Sequence, residues 1–183
     1  MAREAASFIR EEIPLGGSAG PRSRAGVLAD VLDMRRRLEI HARPGDLKRG
    51  AGGIMDVEFL VQALQLCHGK AHPEVLSPNT ADGLKRLMAA GILPAADGSE
   101  LLTAYQFLRW LENRLALVGS TSSSFSEMSA GELQSLVQKI GYKSSGEESA
   151  VSIFESELAY HRRQNRAMLE KVLGAVEGGE PER

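Results

Sequence analysis

The sequence predicts an all-α protein, a helical bundle with a buried central helix that follows a glycine-rich loop. Three observations carry that expectation. Apolar residues recur at i, i+3, i+4 and i+7 over long stretches. No run alternates apolar and polar positions as a half-buried strand would, and the valines fall inside helical periods. Capping residues stand where the helical periods begin, Asn79 or Thr80 before one and Ser129, with Glu132 three positions on, before another.

In chain order, residues 2–12 could form a short helix that Pro14 and the glycines 16, 17 and 20 end, so residues 1–23 read as a tail or linker. Residues 24–41 place Val27, Leu28, Val31, Leu32, Met34 and Leu38 near helical spacing, with Arg35, Arg36 and Arg37 continuing as a charged face, and Pro44-Gly45 stops the helix. Residues 54–68 are apolar over most of the circumference, which implies burial on several sides. Gly69, Pro73 and Pro78 bracket a loop. The next helix carries Leu84, Leu87 and Met88 and ends at Gly91. Pro94 precedes a long helix over 97–118 that buries Leu101, Leu102, Tyr105, Leu108, Leu111, Leu115 and Val118. A polar break follows over 120–126, then a short helix through Ile140, a loop over 141–147 and a last helix from 148 to 173. The bundle domain is expected over 24–174, and 175–183 is expected to be a disordered tail.

At 183 residues with a formal net charge of −2, the chain can bury a core and lacks the basic excess of a general nucleic-acid binder. Charge is uneven, however. Residues 22–49 hold eight basic and four acidic side chains, a local +4 that suits an anionic ligand or partner as well as a solvated face. The single cysteine, Cys67, excludes an internal disulfide framework and sits in an apolar helix as a core residue. No run of about 18 apolar residues appears, so no membrane is expected and the location is expected to be cytoplasmic.

The most informative segment is residues 46–66. Lys48 and Arg49 run into Gly50, Gly52 and Gly53, and the helix that follows carries Asp56 and Glu58 in its first turns. A helix start offers unpaired amides and the positive end of the macrodipole, so cations and amides together suit a phosphate contact. A tight turn before a buried helix fits the same residues. Asp56 stands where a carboxylate favours the macrodipole, and Asp56 and Glu58, two apart, point to different faces. Glu58, Gln62 and Gln65 share one strip, which should meet a second polar strip of Tyr105, Arg109, Glu112 and Asn113, with a Glu58–Arg109 pair between the helices. Glu58 shaping a nucleotide or metal site of a neighbouring domain is the functional alternative. His68 and His72 lack a third ligand for zinc. Gly17-Ser18 with Asp30 and Asp33 fails as a metal-binding nucleotidyltransferase motif, because the aspartates are three apart in a helical segment.

Residues 48–59, KRGAGGIMDVEF, resemble the KxGxGGIxDIEF signature of glutamine synthetase adenylyltransferases, whose helical domain is related to that of the PII uridylyltransferases. The likeness continues, in the family's order, through residues 64–69, 78–80, 89–93, 105–109 and 112–115. It implies the helical domain that follows a nucleotidyltransferase domain, here of the C-terminal, AMP-adding half. The parent enzyme implied would move AMP from ATP to a tyrosine of glutamine synthetase with Mg²⁺, and remove it by phosphorolysis. ATP and Mg²⁺ would belong to the parent, with neither held tightly by this chain. Its catalytic carboxylates lie in the preceding domain, so this chain alone is expected to be inactive and to contribute no catalytic or metal-binding residue. Lys48, Arg49, Gly50, Gly52, Gly53, Asp56 and Glu58 are the candidate nucleotide-binding residues, and in the assembled enzyme their loop should sit at the interdomain cleft, near the nucleotide phosphates or the catalytic domain's backbone. Partners implied are the upstream nucleotidyltransferase domain, glutamine synthetase and the PII signal protein, with no nucleic acid. The alternative is a non-catalytic helical module that binds a regulatory protein such as PII.

Overall fold

A computed structural model describes residues 23–118 and 127–174. The expected tails, the short helix over 2–12 and the polar break over 120–126 lie outside the described residues. Six helices are described: α1 (Arg24–Ile40), α2 (Ile54–His68), α3 (Thr80–Ala89), α4 (Ala95–Leu117), α5 (Ala130–Lys139) and α6 (Ala150–Gly174). A single 3₁₀ turn, Pro73–Val75, joins α2 to α3. No strand occurs among the described residues; Ser145 and Glu148 form one isolated bridge.

Side-chain caps start α1, α3 and α5. Ser23 accepts the amide of Gly26 at 3.1 Å to start α1, and Asn79 accepts that of Asp82 at 3.0 Å to start α3. Ser129 and Glu132 form the expected reciprocal capping box at α5. Gly91, with φ of 70°, lets the chain leave α3.

The central helix is α2, buried from Ile54 through Val61 and touching α1, α3, α4 and α6. Its polar Gln65 faces the 3₁₀ turn, and its Nε2 donates to the carbonyls of Val75 (3.0 Å) and Ser77 (3.2 Å). One apolar cluster joins Leu28, Val31 and Leu32 of α1 to Leu60 and Leu64 of α2, Leu84 and Leu87 of α3, and Leu169 and Leu173 of α6. A second joins Ile54 and Leu47 to Leu108, Leu111 and Leu115 of α4, Val137 of α5 and Ile140 just after it, and Phe154 of α6. Ile54, the first residue of α2, thus carries the glycine-rich loop directly into the core.

Candidate functional site

The loop between α1 and α2 is folded onto its own backbone. Asp46 Oδ1 accepts from the amides of Lys48 (2.8 Å) and Arg49 (2.9 Å). The amide of Gly50 donates to the Asp46 carbonyl and that of Gly53 to the Gly50 carbonyl. The first amides of α2 turn back as well: Ile54 donates to Leu47 at 2.9 Å, Met55 to Lys48 at 3.1 Å and Asp56 to Gly53 at 3.1 Å. The helix start that sequence chemistry offers to an anion therefore has these donors already engaged.

The loop carbonyls are held from outside by long side chains. Arg35 of α1 sends Nη2 to the carbonyls of Arg49 (2.8 Å) and Gly50 (3.0 Å). From α6, Arg162 Nε donates to Ala51 (2.9 Å) and Asn165 Nδ2 to Gly52 (3.1 Å). Gly52 has φ of 70°, and a β-carbon there would collide with the backbone carbonyl of Arg162. A β-carbon on Gly53 would lie 2.6 Å from the Leu47 carbonyl. A β-carbon on Gly50 would likewise lie 2.6 Å from the Asp46 carbonyl, so all three glycines are demanded by close backbone approach.

Asp56 locks this arrangement from below. It is 0 % exposed, accepts the Gly52 amide at 2.8 Å and Arg35 Nε at 2.5 Å, and forms an ion pair with Arg35. Arg166 of α6 stands 3.8 Å from its other oxygen and bonds Glu39 of α1 at 2.7 Å. Burial pushes the Asp56 carboxyl up, while Arg35, the Gly52 amide and Arg166 pull it back. Arg35, expected on a solvated charged face, is itself 0 % exposed. Asp56 is more than a helix-start carboxylate; it is the anionic centre of a buried network.

Outside this network the side chains of Lys48, half-buried, and Arg49, exposed, are left on the surface of the loop. Lys48 lies within electrostatic reach of Glu58 of α2. Glu58 is 8 % exposed. Burial pushes the Glu58 carboxyl up; Lys48 and then Arg109 draw it down, Glu112 pushes it up, and the Tyr105 hydroxyl donates to it. Tyr105 is also hydrogen-bonded to Thr80 at the start of α3. The polar strips of α2 and α4 do meet, as their spacing predicts. The expected Glu58–Arg109 ion pair does not form, because Arg109 closes on Glu112 of its own helix at 2.7 Å. One turn after Glu58, the buried Gln62 Oε1 has no partner.

Four residues of the network, Arg35, Arg162, Asn165 and Arg166, escape a motif-based reading. A signal existed for two of them. Arg35 falls at i+7 from Leu28 and i+4 from Val31, on the apolar stripe of α1, and Asn165 falls at i+7 from Leu158 on that of α6. A polar residue on a buried stripe requires a polar partner.

Among the described residues no three His, Cys, Asp or Glu side chains converge to hold a metal, and no helix is long and apolar enough to cross a membrane.

Comparison with known proteins agrees with the likeness carried by residues 48–59. A family model described as GlnD PII-uridylyltransferase matches residues 31–173. Several curated relatives are named bifunctional glutamine synthetase adenylyltransferase/adenylyl-removing enzyme. The protein of Streptomyces avermitilis is 40 % identical over 114 residues, 60 % of this chain and 11 % of its own length. That of Corynebacterium diphtheriae is 39 % identical over 126 residues, 68 % of this chain and 11 % of its length. That of Mycobacterium leprae is 43 % identical over 98 residues, 51 % of this chain and 10 % of its length. The chain thus matches about a tenth of each of these relatives.

Proposed function

Because the chain belongs to the GlnD PII-uridylyltransferase family, we propose that it serves as the helical domain of a bifunctional glutamine synthetase adenylyltransferase. The parent enzyme would add AMP from ATP to a tyrosine of glutamine synthetase and remove it by phosphorolysis. In this reading the domain works in the cytoplasm and acts beside a nucleotidyltransferase domain that supplies the catalytic carboxylates. Mg²⁺ would be held by those carboxylates, since the described residues of this chain bring no three metal-ligating side chains together. Bound there, the metal would neutralise charge on the ATP phosphates.

The role of this chain is electrostatic and positional. The observation that carries it is the clamped loop: its backbone is held by Arg35, Arg162 and Asn165, so Lys48 and Arg49 are presented from a rigid support. Two cations so placed suit the phosphates of a nucleotide lying between the domains. Gly50, Gly52, Gly53 and Asp56 contribute by building the loop, and Glu58 lies within electrostatic reach of Lys48. PII and glutamine synthetase are the macromolecular partners the reading implies.

The test is Lys48→Ala in the full-length enzyme, assayed by mass-detected adenylylation of glutamine synthetase at subsaturating ATP. Transfer should fall by about tenfold or more, the scale of one charge-assisted phosphate contact. The melting temperature of the 183-residue chain should change little, because Lys48 is outside the buried network. Undiminished transfer would leave the loop a structural turn and favour a module that binds a regulatory protein.

A further inference from the structure

Gly50 is buried, although its neighbours Arg49 and Ala51 are exposed. Arg162 of α6 lies against it: a β-carbon on Gly50 would stand 2.5 Å from Arg162 Nη2. The guanidinium therefore takes the place of the side chain that position 50 lacks, next in line after Lys48 and Arg49. Its Nε is fixed to the Ala51 carbonyl at 2.9 Å. The backbone that carries it is in turn pressed against Gly52, where a β-carbon would collide with the Arg162 carbonyl. The guanidinium is thus held in position by the loop itself.

Three guanidiniums surround this loop, and two have their charge matched at close range. Arg35 pairs with Asp56, and Arg166 pairs with Glu39 and Glu170. Among the described residues, no carboxylate forms an ion pair with Arg162; Asp56, Asp46 and Glu39 act on it only from farther away. Its Nη1 and Nη2 find no acceptor among those residues either, and both are open to solvent, unlike the buried Nη1 of Arg35. Such a pair of nitrogens is a planar fork that fits two oxygens of a phosphate.

We propose that Arg162 is the third cation of the anion site, binding phosphate oxygens of the nucleotide through Nη1 and Nη2 beside Lys48 and Arg49. The site is then built from two segments, since Arg162 and Ala51 are 111 residues apart. The missing side chain at Gly50 makes room for the guanidinium that α6 supplies. This rests on the reading of Lys48 as a phosphate contact.

Tripolyphosphate is the probe, titrated calorimetrically into the 183-residue chain. Arg162→Gln should weaken binding by about tenfold or more, as should Lys48→Ala, the scale of one charge-assisted contact. Arg162→Lys should recover only part of that loss, because an ammonium keeps the charge without the fork. Asn165→Ala separates clamping from contact. It removes a bond that holds the loop but no cation, so it should cost less affinity than Arg162→Gln. Nitrogen-15 NMR of the wild type needs no variant that could fail to fold: the Arg162 Nε and Nη signals should shift as tripolyphosphate binds.

Unmoved Arg162 signals, or equal losses with Asn165→Ala and Arg162→Gln, overturn the contact and leave Arg162 a clamp. Binding that needs Lys48 but not Arg162 overturns this inference alone. Binding that needs Arg162 but not Lys48 overturns the functional reading of Lys48 while the Arg162 contact stands. Tripolyphosphate that fails to bind the wild type overturns both. Tricarballylate, a tricarboxylate, bound as tightly as tripolyphosphate would overturn the assignment to phosphate.

Discussion

Asn165 donates from Nδ2 to the carbonyl oxygen of Gly52 at 3.1 Å, across 113 residues of chain. Three residues earlier on the same helix, Arg162 holds the neighbouring Ala51 carbonyl at 2.9 Å. The segment that identifies the family is therefore completed by the last helix, and the network below it ties α1, α2 and α6 into one unit.

Asp56→Ala should be among the most damaging single changes in the domain. It leaves the Arg35 guanidinium buried without its carboxylate and frees the Gly52 amide, for a loss of about 3–5 kcal/mol. Replacing Arg35 and Asp56 together, by Met and Leu, should cost less than the sum of the two single changes, with a coupling of roughly 1–3 kcal/mol. Urea unfolding followed by circular dichroism measures both. Additive losses would mean that the pair is not coupled.

Two glycine-to-alanine changes should have opposite signs. At Gly52 the positive φ and the Arg162 carbonyl together oppose a β-carbon, so Gly52→Ala should cost about 2 kcal/mol or more. Gly131 lies in α5, where a β-carbon would meet nothing within 4 Å, and Gly131→Ala should raise stability by up to about 1 kcal/mol. Thermal melts that move both in the same direction would contradict this geometry.

His161 should remain neutral to lower pH than an ordinary histidine. It is 9 % exposed and its ring lies 4.6 Å from that of Phe107; burial lowers its affinity for a proton, and Glu157 opposes that in part. The unfolded chain then binds the proton more readily. The stability His161 contributes is present above about pH 6.5 and is lost as pH falls below it. Imidazole proton shifts should titrate with a midpoint below 6.5, and His161→Gln should reduce the fall in urea midpoint between pH 7.5 and 5.5. A midpoint at or above 6.5 would reject the assignment.

The helices were legible because each announces itself locally. Ser129 with Glu132 caps α5, Pro94 opens α4, and the all-round apolar run of α2 requires central burial. The loop was legible as a unit, since Gly50, Gly52 and Gly53 mark positions where a side chain does not fit. Its inner partners were not. The amides of Ile54 and Met55 return to Leu47 and Lys48 through backbone that carries no sequence mark. Arg162 and Arg166 sit on a helix whose register against the loop only the folded chain defines. Arg35 was misplaced because three consecutive arginines read as one charged face, although only the first falls on the apolar stripe. Arg109 and Glu112 satisfy each other at i, i+3, a local pairing that took precedence over the longer reach to Glu58.

The long separation between Gly52 and Asn165 also bears on how the protein is made. A ribosome adding about 5–20 residues per second needs roughly 6–23 s to add the 113 residues that lead from Gly52 to Asn165. Through that interval the nascent glycine loop has emerged, or is emerging, without the two side chains that cap its carbonyls. Completion of this segment is therefore timed by translation of the final helix, so the loop is open to chaperones and proteases longest in the newly made chain.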